Sequence, residues 1–175
     1  MKRKIYNDLL KWKADACGSS ALLIEGARRI GKSYIVEEFA KNEYDSYLLI
    51  NFSSAPELVK SWFDLYLEDL DELFVHLQLH YKKKLVSRRS LVIFDEVQCC
   101  PRAREAIKWL VADGRYDYIE TGSLISIKKN VKDIVIPSEE QSVEMFPMDF
   151  EEFVWAMGEE MLLEYAHKQF EEMKP

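Results

Sequence analysis

Positions 26–33 read Gly26-Ala27-Arg28-Arg29-Ile30-Gly31-Lys32-Ser33, two glycines five positions apart followed at once by lysine and serine. The spacing GxxxxGKS is that of a loop that wraps a chain of phosphates. An apolar run, Ala21-Leu22-Leu23-Ile24, precedes it and a helical pattern over 34–41 follows, so the loop is expected to join a buried strand to a helix. Glycines let the backbone turn its N–H groups inward, and the positive end of the following helix dipole points at the same place. Lys32 would reach the terminal phosphates, and Ser33 would offer its hydroxyl to a bridging magnesium ion. The expected nucleotide-binding set is therefore 26–33 together with Tyr34.

Two further strand ends bear on this loop. Leu91-Val92-Ile93-Phe94 is a short continuous apolar run, the mark of a strand covered on both faces, and it ends in Asp95-Glu96. In an open α/β sheet the ligand crevice lies beyond the carboxyl ends of the strands, so this acidic tip and the glycine loop should face one space. Asp95 is then the expected magnesium ligand beside Ser33, and Glu96 the general base that activates a water. The third polar end is Tyr116-Asp117-Tyr118-Ile119-Glu120, leading into Thr121-Gly122-Ser123. Thr121 or Ser123 can sense a terminal phosphate and join Lys32 and Glu96 in catalysis, or both can be turn hydroxyls satisfying local backbone.

Four stretches carry a family likeness: the loop at 26–33, LVIFDEVQ at 91–98, YIETGSLI at 118–125 and FPMDFEEF at 146–153. Together they resemble a bacterial and archaeal family of AAA-type ATPases over nearly the whole chain. That resemblance implies ATP as the nucleotide, where the motifs alone specify only a nucleoside triphosphate. The family often has threonine after the loop lysine, and Ser33 supplies the same hydroxyl. Its members usually continue into a further C-terminal domain. The expectation is a single AAA-type P-loop ATPase domain over 1–175, with an N-terminal helix in 1–18 and the start of a C-terminal helical extension in 149–175.

Strands alternating with helices predict an α/β three-layer sandwich, a five-stranded and mostly parallel sheet with helices on both faces. The strands fall near 21–24, 47–52, 91–94, 116–120 and 142–146. Helices are expected from Ile5, Leu9, Trp12 and Ala16, from two segments between Pro56 and Leu85 divided at the capping pair Asp69 and Glu72, from 102–113, and from 149–157 with Phe150, Phe153 and Val154 on one face. Asn51 stands near the end of the second strand, where it is placed to face the crevice.

The 175 residues, 48% hydrophobic, can bury one sizeable core, and the net charge of −7 does not indicate a broad nucleic-acid surface. A local basic patch, such as Lys128, Lys129 and Lys132, reads first as a solvated loop. Cys17, Cys99 and Cys100 make neither a disulfide framework nor a four-ligand zinc site, which suits a reducing cytosol. His76 and His80, one turn apart, lack a third ligand and read as packed histidines. Arg28, Arg29, Arg102 and Arg104 are candidate stabilisers of phosphate charge, and Tyr6 is read as packing rather than as a stacking platform for a base. No run is long enough to span a bilayer, and a cytoplasmic protein is expected.

The leading function is Mg-dependent ATP hydrolysis that drives a conformational change in a partner or a further domain, with a homo-oligomer among the arrangements. The alternatives are a nucleotide-gated interaction module with little hydrolysis and a small-molecule kinase. A GTPase is disfavoured, because Asn130-Val131-Lys132-Asp133 has the wrong order for guanine reading.

Overall fold

A computed structural model describes residues 2–123 and 139–172. Five strands, β1 (Ala21–Gly26), β2 (Ser46–Asn51), β3 (Ser90–Asp95), β4 (Asp117–Ser123) and β5 (Glu140–Met145), lie side by side in the order β2-β3-β4-β1-β5. Every neighbouring pair is parallel, so the sheet is parallel throughout. The helices are α1 (Ile5–Ala16), α2 (Lys32–Glu43), α3 (Glu57–Leu65), α4 (Leu70–Tyr81), α5 (Pro101–Asp113), α6 (Phe150–Met157) and α7 (Glu160–Glu172).

Strand order explains the two layers of helix. From β1 the chain passes over β4 and β3 to reach β2 at the edge, then returns through β3 and β4 in the opposite direction. Right-handed crossovers travelling in opposite directions must use opposite faces of the sheet. Accordingly α2, with α1, covers one face: Ile5, Leu9, Trp12, Ile35, Val36 and Phe39 pack on Leu22, Ile24, Leu91, Ile93 and Ile119. Helices α3, α4 and α5 cover the other: Val59, Phe63, Leu73, Phe74, Ile107 and Leu110 pack on Leu23, Val92, Phe94 and Tyr118. Successive strand residues thus serve alternate faces, and β1 and β3 carry continuous apolar runs over 21–24 and 91–94 because both faces are covered. The neighbouring strands β1 and β4 send the chain on in opposite directions, to β2 and to β5, and ligands of open α/β sheets bind at such a place.

Local chemistry sets the helix ends. The Asp69 side chain accepts from the Glu72 backbone N–H at 3.2 Å and opens α4, which divides the helical stretch after Pro56 in two, as expected. Pro101 occupies the first position of α5, and Gly114 closes that helix at φ 70°. The helix after the glycine loop begins at Lys32, two residues earlier than the apolar pattern suggests. In α6 the expected apolar face is corrected: Val154 and Glu152 are buried, whereas Phe150 and Phe153 are 68% and 52% exposed. The Glu152 carboxylate is held by Arg3 and by the Lys4 backbone, and this turns the glutamate face inward.

His76 stacks on Tyr66 at 4.6 Å, and both His76 and His80 lie against Trp62, so they are packing residues. Among the described residues no three His, Cys, Asp or Glu side chains gather as a metal cluster. Tyr6 sits edge-on to Phe39 and donates to Glu43 Oε1 at 3.0 Å, in keeping with a packing role. The three cysteines are unpaired. Lys128, Lys129, Lys132 and the 130–133 stretch lie outside the described residues. No helix of the described residues is long and apolar enough to cross a membrane.

Candidate nucleotide site

The glycine loop leaves β1 at its carboxyl end. A Cβ at Gly26 would lie 2.3 Å from the Met145 carbonyl oxygen of neighbouring β5, so only glycine lets the two backbones run this close. Gly31, at φ 96°, caps the start of α2 in a conformation that side chains disfavour. Lys32 follows as the first helical residue and is 5% exposed, and its Nζ donates to the carbonyls of Gly26 at 3.0 Å and Ala27 at 2.7 Å. Burial pushes the Lys32 ammonium below its ordinary pKa, and the charges of Glu96 and Asp95 act the other way. The buried cation therefore sits at a cost, offset by acids across the crevice.

Asp95 is the hub. It is 2% exposed at the tip of β3, and its Oδ1 accepts from Ser33 Oγ at 2.7 Å and from Thr121 Oγ1 at 2.5 Å. Its Oδ2 accepts from Asn51 Nδ2 at 2.7 Å. One carboxylate thus collects the ends of β2, β3 and β4 and the first turn of α2, residues up to 62 positions apart. The strand tips and the loop thus converge on one carboxylate, and Asn51 is among the groups that meet there.

Glu96 follows in the left-handed region, φ 55° and ψ 47°, an unusual conformation for a glutamate. Its backbone N–H donates to Thr121 Oγ1 at 3.3 Å, and its half-buried carboxylate accepts from Gln98 Nε2. Thr121 and Ser123 are both buried and belong to β4 itself, where Ser123 stands in register with Gly26. Both hydroxyls therefore stand on the strand itself rather than in a turn after it.

The remaining candidates separate clearly. Ala27, Arg28 and Arg29 form the exposed crown of the loop, with Arg29 at φ 64°, and Ile30 is half-buried behind them. Tyr34 is 46% exposed on α2. Arg102 pairs with Asp64 at 2.9 Å and Glu105 at 2.7 Å. Arg104 is buried against Glu140 at 3.0 Å, and near this pair lies Glu120, wholly buried, whose pKa is pushed well above the usual carboxylate range by burial and then by the Glu140 carboxylate. As candidate stabilisers of phosphate charge, Arg102 and Arg104 are corrected to ion-pair partners on the α5 side of the sheet.

The donor set suits magnesium. Ser33 and Asp95 offer hard oxygens already in contact, and that ion is commonly held by one or two carboxylates with phosphate and water completing its shell. Thr121 and Asn51 orient the carboxylate from behind, as outer partners of a metal ligand do.

Among solved structures, the Walker-type ATPase PABY2304 of Pyrococcus abyssi is similar at a TM-score of 0.52 and 17% identity, over 90% of this chain and 57% of that one. The likeness is one of fold, and this chain spans a little over half of that ATPase's length. The Aeropyrum pernix ORC2 protein aligns at a TM-score of 0.45 and 16% identity, over 91% of this chain and 50% of that one. PCH-2 of C. elegans aligns at 0.46 and 16%, over 95% and 48%. No curated protein matches the sequence. Residues 18–154, most of the chain, match the AAA domain, and the chain belongs to this family of P-loop ATPases.

Proposed function

We propose that the chain binds ATP with magnesium between the 26–33 loop and the tips of β3 and β4, and hydrolyses it. The observation that carries this reading is the 2.7 Å contact between Ser33 Oγ and Asp95 Oδ1, which joins the loop to the acidic strand end. The backbone N–H groups of the loop would cradle the phosphates, and Lys32 Nζ would exchange its two carbonyl partners for phosphate oxygens. Magnesium, held by Ser33 and Asp95, would neutralise charge on the terminal phosphates. Glu96 would accept the proton of the attacking water, releasing Gln98 as it does so, and Thr121 or Ser123 would contact the terminal phosphate from β4. We further propose that residues 1–175 act as one ATPase domain. Its α6 and α7, which expose Phe150, Phe153, Met157 and Met161, would begin a helical extension that passes the nucleotide state to a further domain, a protein partner or a second copy.

A second reading, a nucleotide-gated interaction module with slow turnover, draws on the commitment of Arg102 and Arg104 to ion pairs and of Glu96 to Gln98. Phosphate release measured on protein with ATP binding already shown separates the two. Steady release inhibited by chelating magnesium supports the hydrolase, and binding with no release supports the gated module.

Lys32 gives the site a pH signature. Its pKa in the free protein lies below 10.5, and phosphate charge would raise it again. Below the free-protein value the lysine is charged before and after binding, so affinity is flat. Above it, binding must take up a proton, so ATP affinity should fall as pH climbs through that value towards 10.5. Calorimetry across this alkaline range reads the effect, and an affinity independent of pH there would contradict the placement of Lys32 on phosphate.

A further inference from the structure

Arg3 precedes α1 and belongs to no motif, yet it is 4% exposed. Its guanidinium reaches three separate parts of the chain. Nη1 donates to the Ile30 carbonyl in the glycine loop at 2.9 Å, and Nη2 donates to the Phe146 carbonyl just past β5 at 2.8 Å. Nε lies 3.2 Å from Glu152 Oε1 in the first turn of α6, an ion pair buried at both ends. Glu152 is fixed in turn: Oε1 also accepts from the Lys4 backbone N–H at 2.7 Å, and Oε2 accepts from the Asp149 N–H at 3.2 Å, closing the capping box of α6.

The first of these contacts has a direct consequence for phosphate. In a trans peptide the carbonyl and the N–H point in opposite directions. Tying the Ile30 oxygen to Arg3 therefore sets the direction of the Gly31 N–H, one of the amides at the phosphate-facing start of α2. A planar fork that cannot lose its charge suits this task, since it donates to two carbonyls at fixed angles while keeping its charge beside the Glu152 carboxylate.

We propose that Arg3 is a positioning residue for the phosphate loop, and that the Arg3–Glu152 pair is the strut through which nucleotide occupancy and the placement of α6 influence each other. The proposal rests on the nucleotide reading of residues 26–33. Coupling of this kind is reciprocal: a nucleotide that holds the Ile30–Gly31 peptide also holds α6, and a partner that draws α6 away loosens the loop.

The test pairs affinity with local hydrogen exchange in R3K and E152Q, using a non-hydrolysable ATP analogue with magnesium. Affinity should fall about tenfold in each variant. In the wild type, bound analogue should slow exchange at amides of both α2 and α6. In the variants, at saturating analogue, α2 should remain protected while α6 exchanges as it does without nucleotide. This split is one that a general loss of packing would not produce, and E152Q keeps the guanidinium in place should R3K fold poorly. An α6 that slows in both variants as in the wild type, or that ignores the analogue in the wild type, overturns the strut. Absence of α2 protection in the wild type instead overturns the nucleotide reading beneath it.

Discussion

Replacing Lys32 with alanine should abolish useful ATP binding and leave the fold intact. Its ammonium makes two hydrogen bonds to loop carbonyls, and on phosphate the acceptors would be anionic as well. Bonds to charged groups contribute about 1.5–3 kcal/mol each, so losing two weakens binding at least a hundredfold. The stability argument runs the other way. Burial lowers the Lys32 pKa, so the charged form is disfavoured in the free protein, and K32A removes a buried cation along with its modest bonds. Melting should therefore occur at no lower temperature than in the wild type. Calorimetric titration beside thermal unfolding reads both, and binding retained within a few-fold would remove Lys32 from the site.

Replacing Glu96 with glutamine should separate binding from turnover. Glutamine keeps the size of the side chain and can still engage Gln98, yet it cannot take a proton from water. Loss of a general base costs about 10²- to 10⁴-fold in rate, whereas the loop and Asp95, proposed to hold the phosphates and the metal, are untouched. Single-turnover phosphate release should collapse while affinity for ATP stays at the wild-type value. The left-handed backbone at Glu96 accords with this role, since strained positions collect where a side chain must be aimed. Turnover that survives E96Q would assign the base elsewhere.

Much of this architecture is legible along the chain because it is local. The glycine loop, the apolar run ending in Asp95-Glu96 and the Asp69 cap each declare themselves within eight residues. Asn51 and Thr121 were readable as strand ends, and their convergence on Asp95 follows from parallel strands sharing one end of the sheet. What could not be read is long-range. Arg3 stands between Lys2 and Lys4 and looks like a solvated basic start, because its burial depends on residues 30, 146 and 152. The face of α6 was misassigned for the same reason: Phe150 and Phe153 share a helical period with Val154, and only the distant Arg3 selects the Glu152 side. Arg104 left one usable signal, for Glu120 is an acidic residue in strand territory, where a buried acid calls for a partner.

The most direct measurement is a crystal structure of the protein grown with magnesium and a non-hydrolysable ATP analogue. The account predicts the triphosphate wrapped by residues 26–33, Lys32 Nζ on its terminal oxygens, and the ion between Ser33 and the Asp95 side. An analogue seated anywhere other than between this loop and the β3 tip would contradict it.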